Sequence, residues 1–472
     1  MSTSTAAVLH GPKDLRLEQR SLWAPEPGQC QVEIKATGLC GSDLHYYLAG
    51  RNGDFAIRSP LVLGHESSGV ITALGPGVAT QYPHLRVGMR VAIECGIPCR
   101  SLNTDGSERT KDDACKHCSS HRYNLCKNLR FCSSAKTFPH RDGMLQHKVN
   151  HEAWCLHPIP ESLSYSQAAL TEPLSVLLHA SRRAGICPPS SHSSLVESSL
   201  TSYSSSTASC SPISAAGKKI LVFGVGAIGL IACALARELG AESVCAVDIN
   251  NDRLAFATRE GFTFSDSGTG TSTFCLPLPS TTKSSPTPES TAEPKEHELL
   301  RRAKENAARA LSVFDEPDGF DIVFECTGAE SCILMSVFCA AVGARVALVG
   351  MGSPSVSSFP ISFAATREID LIGSFRYADT YREAIDLLSG SHIFSNPELD
   401  RDVENPDHSD RNDAHNGAAA AHEPKDTAFS RKLAKLVTHR FELSQTKEAF
   451  ELLARGRDER GGMVIKVMIE VS

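Results

Sequence analysis

No apolar stretch in the 472 residues approaches the roughly 20 needed to cross a bilayer, so a membrane-spanning protein is not expected. Dense Lys or Arg runs are missing too, and 47 basic residues face 54 acidic ones, a net charge of −7. That balance argues against a nucleic-acid polyanion as the main partner. The N-terminus, MSTSTAAVLHGPKDL, has neither a basic segment nor a long apolar one. No secretory signal is therefore expected, and the predicted location is cytoplasmic. Cysteine, by contrast, is abundant: seventeen residues, an odd number. In a reducing compartment thiols and metal ligands account for them better than a disulfide framework. A hydrophobic share of 41% excludes wholesale disorder, and the length suffices for two or three domains. A soluble intracellular enzyme is the expected class.

Short apolar runs separated by Gly and Pro open the chain: AAVLH, QVEIKATGLC, VLGHESSGVITALG and RVAIEC. They read as β-rich structure with tight turns. From Lys218 the texture changes to alternating strand and helix, with KKILVFG, IGLIACALAREL, SVCAVDI, FDIVFEC, ARVALVGMG and IDLIGSF in turn. This alternation predicts an α/β fold with a doubly wound parallel sheet. The tail is expected to add a helix and a last strand. Four stretches break the pattern: 100–112, the Ser-rich 190–214, the Ser/Thr/Pro-rich 265–294 and the acidic 397–429. All four are read as surface-loop insertions, which add little closure entropy.

GVGAIG supplies Gly224, Gly226 and Gly229 between a strand and a helix, and Asp248 ends the next strand 19 residues after Gly229. In that context the glycines form a dinucleotide-binding turn. Gly224 permits the turn, Gly226 admits a pyrophosphate, and Gly229 lets helix meet strand. The helix N-terminus favours the phosphates. An acid at Asp248 accepts hydrogen bonds from ribose hydroxyls and repels a 2′-phosphate, favouring NAD over NADP. Cys40, His65 and Glu66 offer a thiolate, an imidazole and a carboxylate, a set able to hold zinc with one position open. Asp43 could orient the histidine. On these residues alone a structural role is the commoner reading.

Gly64-His65-Glu66-x2-Gly69-x5-Gly75-x2-Val78 resembles the zinc alcohol dehydrogenase motif of the medium-chain dehydrogenase/reductase superfamily. Within it, GLCGSDLHYY, PLVLGHESSG, ALTEPLSV, FECTGAE, GSFRY and LVTHRF follow the order of the sorbitol/xylitol (polyol) dehydrogenases. The resemblance covers about 5–187, 218–264 and most of 315–472. It implies a GroES-like β-rich catalytic domain over 1–185, a Rossmann NAD-binding domain over 186–372, and a C-terminal return to the catalytic domain over 373–472. It also implies Zn(2+) and NAD as cofactors, a small polyol as substrate, and a homotetramer or homodimer. Cys40, His65 and Glu66 match the catalytic zinc ligands, with Glu172 near the metal or holding its water. Ser42 and His45 match a pair that passes a proton outward, and bound water or Glu172 are the other exits. Tyr46, Arg376 and Tyr377 match residues around the substrate hydroxyls. Ile228, Asp248, Arg253, Val349, Gly350, Met351, Ser374, Phe375 and Arg376 match dinucleotide contacts. His439 matches the family string but reads as structural.

Cys99, Cys115, Cys118 and Cys126 resemble the superfamily's structural zinc lobe, with a departure. That lobe reads Cys-x2-Cys-x2-Cys-x7-Cys, whereas here Cys99 stands 16 positions before Cys115. The longer loop costs about 1.5 kcal/mol of closure entropy, against zinc binding worth on the order of 10 kcal/mol. The insertion alone does not defeat the site, though Cys95 is a rival first ligand. Cys233, Cys326 and Cys339 fall in apolar segments and read as core. The implied activity is NAD-linked oxidation of a polyol to the ketose. Two alternatives stay open: a zinc dehydrogenase for another secondary alcohol or diol, and a non-catalytic dinucleotide-binding sensor or scaffold.

Overall fold

The computed structural model describes residues 2–99, 114–186, 215–265, 270–277, 295–352, 355–390 and 428–471. The stretches 100–112, 190–214 and nearly all of 397–429 lie outside the described residues.

Alternation in QCQVEIKATG assigns one face of the strand Gln29–Gly38 to the core, so Cys30, Val32, Ile34 and Ala36 are buried. This strand is central to a seven-stranded sheet. Glu66–Leu74 pairs antiparallel along its length, and Lys466–Glu470 pairs with its Gly38 end. Lys148–Glu152 covers the opposite end. The chain's last strand thus completes the sheet begun near its start. One strand was not anticipated: Val437–Glu442 pairs parallel with Lys466–Glu470. The tail's helix begins only at Thr446, because LVTHRFE carries a strand alternation that the helical pattern after it obscures.

Six parallel strands form the second sheet, in the spatial order Thr273–Cys275, Ser243–Asp248, Lys219–Phe223, Phe320–Glu325, Ala340–Leu348, Asp370–Gly373. Counted along the chain this is 3-2-1-4-5-6, the doubly wound order. The order reverses between Lys219–Phe223 and Phe320–Glu325, so the loops that follow these two strands face each other at the carboxyl edge. The first member corrects the reading of 265–294 as an insertion. Thr273–Cys275 lies within that stretch and extends the sheet from Ser243–Asp248. Phe274 explains why: it is 8% exposed and sets its ring edge-on to Phe314. A Ser/Thr/Pro-rich composition masked three residues with a buried anchor. Among the described residues, no helix is long and apolar enough to cross a membrane.

Candidate active site

Two backbone events bring three donors together. Gly38 stands opposite Glu66 in the ladder, and a Cβ there would run into the Glu66 carboxylate. Cys40 then caps the helix Gly41–Ala49, while Gly64, at φ +93°, turns the chain into His65 and Glu66. The Cys40 Sγ, a His65 ring nitrogen and a Glu66 oxygen lie within 4.8 Å of one another. His65 and Glu66 are 6% and 1% exposed. Thiolate, imidazole and carboxylate on so small a perimeter suit zinc, and two anionic donors neutralise its charge while leaving a fourth position.

Buried partners hold this cluster. Asp43 Oδ1 is 3.2 Å from His65 Nδ1 and accepts hydrogen bonds from the Ser133 hydroxyl at 2.5 Å and the Gly64 N–H at 3.3 Å. Burial pushes the Asp43 carboxyl up, but His65, the Ser133 hydroxyl and the Cys40 N–H hold it below its usual value. Burial likewise opposes a charge on His65, yet Asp43 raises it well above the usual imidazole value. Lys466, 3% exposed, places Nζ 2.7 Å from both Glu66 oxygens and 3.2 Å from the Leu39 carbonyl.

Glu172, in the first turn of Thr171–Arg183, stands outside the 4.8 Å cluster. Burial raises its carboxyl to about 7, against the charge of His65. Tyr377 faces it, and the Arg376 guanidinium lies 3.7 Å over the Phe131 ring, itself edge-on to His65 at 5.6 Å. Arg376 Nη1 is buried without a hydrogen-bond partner; burial lowers this guanidinium to about 10. The Tyr46 hydroxyl accepts the Ala135 N–H at 3.0 Å, leaving its own hydrogen to give. Ser42 is half-buried on the same helix, and exposed His45 places Nδ1 3.2 Å from Asn52 Oδ1.

The dinucleotide turn has the form its glycines demand. Gly224 is at φ +84°, and a Cβ at Gly229 would collide with the Gly224 carbonyl. Nothing stands within 4 Å of the Cβ position at Gly226, so the face above the helix Ala227–Glu238 is clear for a phosphate. Asp248 accepts the Val225 N–H and the Asn250 N–H, each at 2.8 Å. It therefore shapes the turn. Across the switch point, buried Glu325 accepts the N–H groups of Thr327 and Gly328 at 2.9 Å. Ile228 and Arg253 are half-buried nearby. Val349 and Gly350 donate to the Glu325 carbonyl, and Met351 is exposed at the same edge. Ser374 follows Asp370–Gly373, and the Phe375 carbonyl accepts from Asn124 at 2.8 Å.

The sulfurs of Cys99, Cys115, Cys118 and Cys126 also lie within 4.8 Å of one another. Tetrahedral zinc, with zinc–sulfur distances of about 2.3 Å, sets sulfurs about 3.8 Å apart, so four thiols this close fit the ion. Cys95 is not among them: its Sγ donates to the His65 carbonyl at 3.0 Å. Cys115 precedes the short helix Lys116–Ser119; burial opposes its ionisation, but the N–H groups of Cys118 and His117 bring it to about 7. His439 bonds to Thr438 and Asp458, a structural placement.

Sequence reasoning missed Lys466 and Ser133. The signal for Lys466 was a lone charge inside the strand run MVIKVMIE; Ser133, at φ +61°, left none. If both clusters hold zinc, elemental analysis finds two ions per chain. Cys115→Ser should then lower this to one while the remaining ion and a reduced but measurable turnover persist; an unchanged count would remove the cysteine lobe from the account.

Residues 26–161 match the alcohol dehydrogenase GroES-like domain family, and residues 295–390 match the zinc-binding dehydrogenase family. Sorbitol dehydrogenase of Gallus gallus is 31% identical over 465 residues, 98% of this chain and 96% of that one. A probable D-xylulose reductase A of Aspergillus terreus is 32% identical over 390 residues, covering 82% of this chain and 87% of its own. The crystal structure of L-idonate 5-dehydrogenase from Escherichia coli shares the fold, with a TM-score of 0.65 at 21% identity over 99% and 98% of the two chains. With this fold, these donors and these relatives, the chain belongs to the zinc-dependent medium-chain dehydrogenase/reductase superfamily, in the sorbitol/xylitol (polyol) dehydrogenase family, and is an NAD-dependent zinc oxidoreductase.

Proposed function

We propose that the protein oxidises an acyclic polyol, sorbitol, xylitol or a close relative, to the ketose. The observation that carries this reading is the buried, unpartnered Arg376 Nη1 beside the donor cluster. A buried donor left unsatisfied is unfavourable by about 1–3 kcal/mol, and a substrate with several hydroxyls brings the acceptors that relieve it. Tyr377, Glu172 and the free hydrogen of Tyr46 extend the same polar wall. The relatives named for sorbitol and D-xylulose support this substrate class.

Zinc, bound by Cys40, His65 and Glu66, would favour the deprotonated alcohol, and NAD would accept the hydride. The chain's own residues do the rest. Asp43 and Ser133 fix the His65 ring, and Lys466 balances the charge of Glu66. Glu172, raised to about 7 by burial, is suited to take a proton near neutrality; Ser42 and His45 offer a route from the site to the surface. Gly224, Gly226, Gly229, Ile228 and Arg253 seat the dinucleotide, with residues 349–351 and 374–376 at its nicotinamide end. We place the domain boundaries near 185 and 372 and the reaction in the cytoplasm. A homodimer or homotetramer is supported by Asp370–Gly373, a sheet-edge strand that exposes Leu371.

Two measurements check the reading. Arg376→Ala should raise the polyol KM at least about tenfold, much more than it changes NAD binding, and ethanol or butanol should be poor substrates of the parent. Better turnover of simple alcohols, or normal polyol binding by the variant, would leave a zinc dehydrogenase of another alcohol. For the cofactor, Asp248→Ser with Ile249→Arg should narrow the preference for NAD over NADP in kcat/KM by more than about tenfold. Asp248 also holds Val225 and Asn250, so absolute activity should fall with both cofactors; an unaltered preference ratio would show that its carboxylate does not select the ribose.

A further inference from the structure

A crevice beside the donor cluster contains a polar residue that neither the sequence motifs nor the mechanism uses. Gly96, Leu129 and Phe131 give it apolar walls, and Asn124, Arg376 and Tyr377 complete it. Its interior has room for about one water-sized group. Phe131 joins it to the centre, because that ring lies edge-on to His65 at 5.6 Å and 3.7 Å beneath the Arg376 guanidinium. Tyr377 faces Glu172.

Asn124, 4% exposed, is held in one orientation. Its Nδ2 donates to the Phe375 carbonyl at 2.8 Å. A carbonyl can only accept, so this bond fixes the nitrogen on that side of the amide and the oxygen on the other. The second Nδ2 hydrogen meets His179 Nε2 at 3.4 Å. Burial, with Arg182, Arg183 and Arg122 alongside, lowers His179 to about 4, so near neutral pH its ring is uncharged and able to accept. Both amide hydrogens are then engaged, while the buried Oδ1 meets no donor among the described residues. Arg376 Nη1 is the converse: a buried donor that meets no acceptor among them.

One unmet acceptor and one unmet donor around a water-sized space decide what fits there. A hydroxyl both gives and takes a hydrogen bond and satisfies the two together. A carboxylate or phosphate oxygen would accept from Arg376 but set its lone pairs against Asn124, and a methyl group would satisfy neither. We propose that Asn124 is a specificity-determining residue whose Oδ1 accepts a hydrogen bond from one polyol hydroxyl other than the one oxidised, while Arg376 Nη1 donates to the same oxygen. This rests on the polyol reading and adds to it a subsite that selects a hydroxyl at one carbon of the chain.

Steady-state kinetics of the zinc-loaded protein with NAD test it. The substrates are sorbitol, or xylitol where that is turned over faster, and the same polyol deoxygenated singly at each carbon except the reacting one. In the parent, at least one deoxygenated substrate should lose about tenfold or more in kcat/KM, because removing its hydroxyl leaves buried polar groups unpaired. In Asn124→Ala the intact polyol should itself fall, and that one penalty should shrink to less than about threefold while the penalties at other carbons persist. An asparagine acting only through the Phe375 carbonyl would lower every substrate by a common factor and leave all ratios as in the parent. That result overturns the proposal, as does a parent indifferent to every deletion. Should Asn124→Ala fail to fold, Asn124→Ser is compared in the same way. Turnover of none of the polyols would instead overturn the polyol reading, and this inference with it.

Discussion

Lys466 and Glu66, buried and 2.7 Å apart, are the contact around which the catalytic half is arranged. Glu66 shares its surroundings with Cys40 and Glu172, so the interior holds more negative than positive charge. Burying a carboxylate without a partner is strongly unfavourable, and the last strand of the chain delivers the compensating ammonium. Burial works against that ammonium, but the charges of Glu66 and Cys40 hold it above the usual lysine value. The arrangement ties the Cys40, His65 and Glu66 donor cluster to the pairing of Gln29–Gly38 with Lys466–Glu470. A chain that failed to return its C-terminus would lose the counter-charge as well as the strand.

The dinucleotide half obeys a similar logic with the opposite sign. Its cofactor is anionic, and the first turn of Ala227–Glu238 offers free N–H groups and open space at Gly226. Carboxylates are used there as scaffolding: Asp248 and Glu325 each gather backbone N–H groups from the loop that follows their strand or its neighbour. Hydrogen bonds also tie the cysteine lobe to the segment that leaves the second sheet after Asp370–Gly373. Asn124, in the cysteine lobe, reaches the Phe375 carbonyl, and the Tyr123 hydroxyl accepts the Asp379 N–H while donating to Glu94. The lobe therefore braces the segment that carries Arg376, which gives a reason to keep it despite its lengthened ligand loop.

Much of this was readable in the residues. Two periods of hydrophobicity separated the β-rich half from the doubly wound half, and glycine spacing placed the turn at residues 224–229. The donor residues were legible by type, but bringing Cys40 to His65 and Glu66 depends on a strand register that spacing does not encode. Thr273–Cys275 and Val437–Glu442 were lost for a local reason: their neighbours carry a louder compositional or helical signal. Lys466, a lone charge in an apolar run, and Ser133, with no signal at all, were missed because their value lies in what they touch. A lysine in an apolar strand has meaning only once Glu66 is beside it, and a serine in a turn only once Asp43 is.

The central claim is that Cys40, His65 and Glu66 hold the zinc on which turnover depends. Cys40→Ser, purified as a folded chain with its thermal transition intact, tests it by zinc content and polyol-dependent NADH formation measured on the same sample. The account predicts loss of one zinc per chain and a fall in turnover of about a thousandfold, roughly 4 kcal/mol of transition-state stabilisation. Near-normal turnover in a variant depleted of that zinc would contradict it.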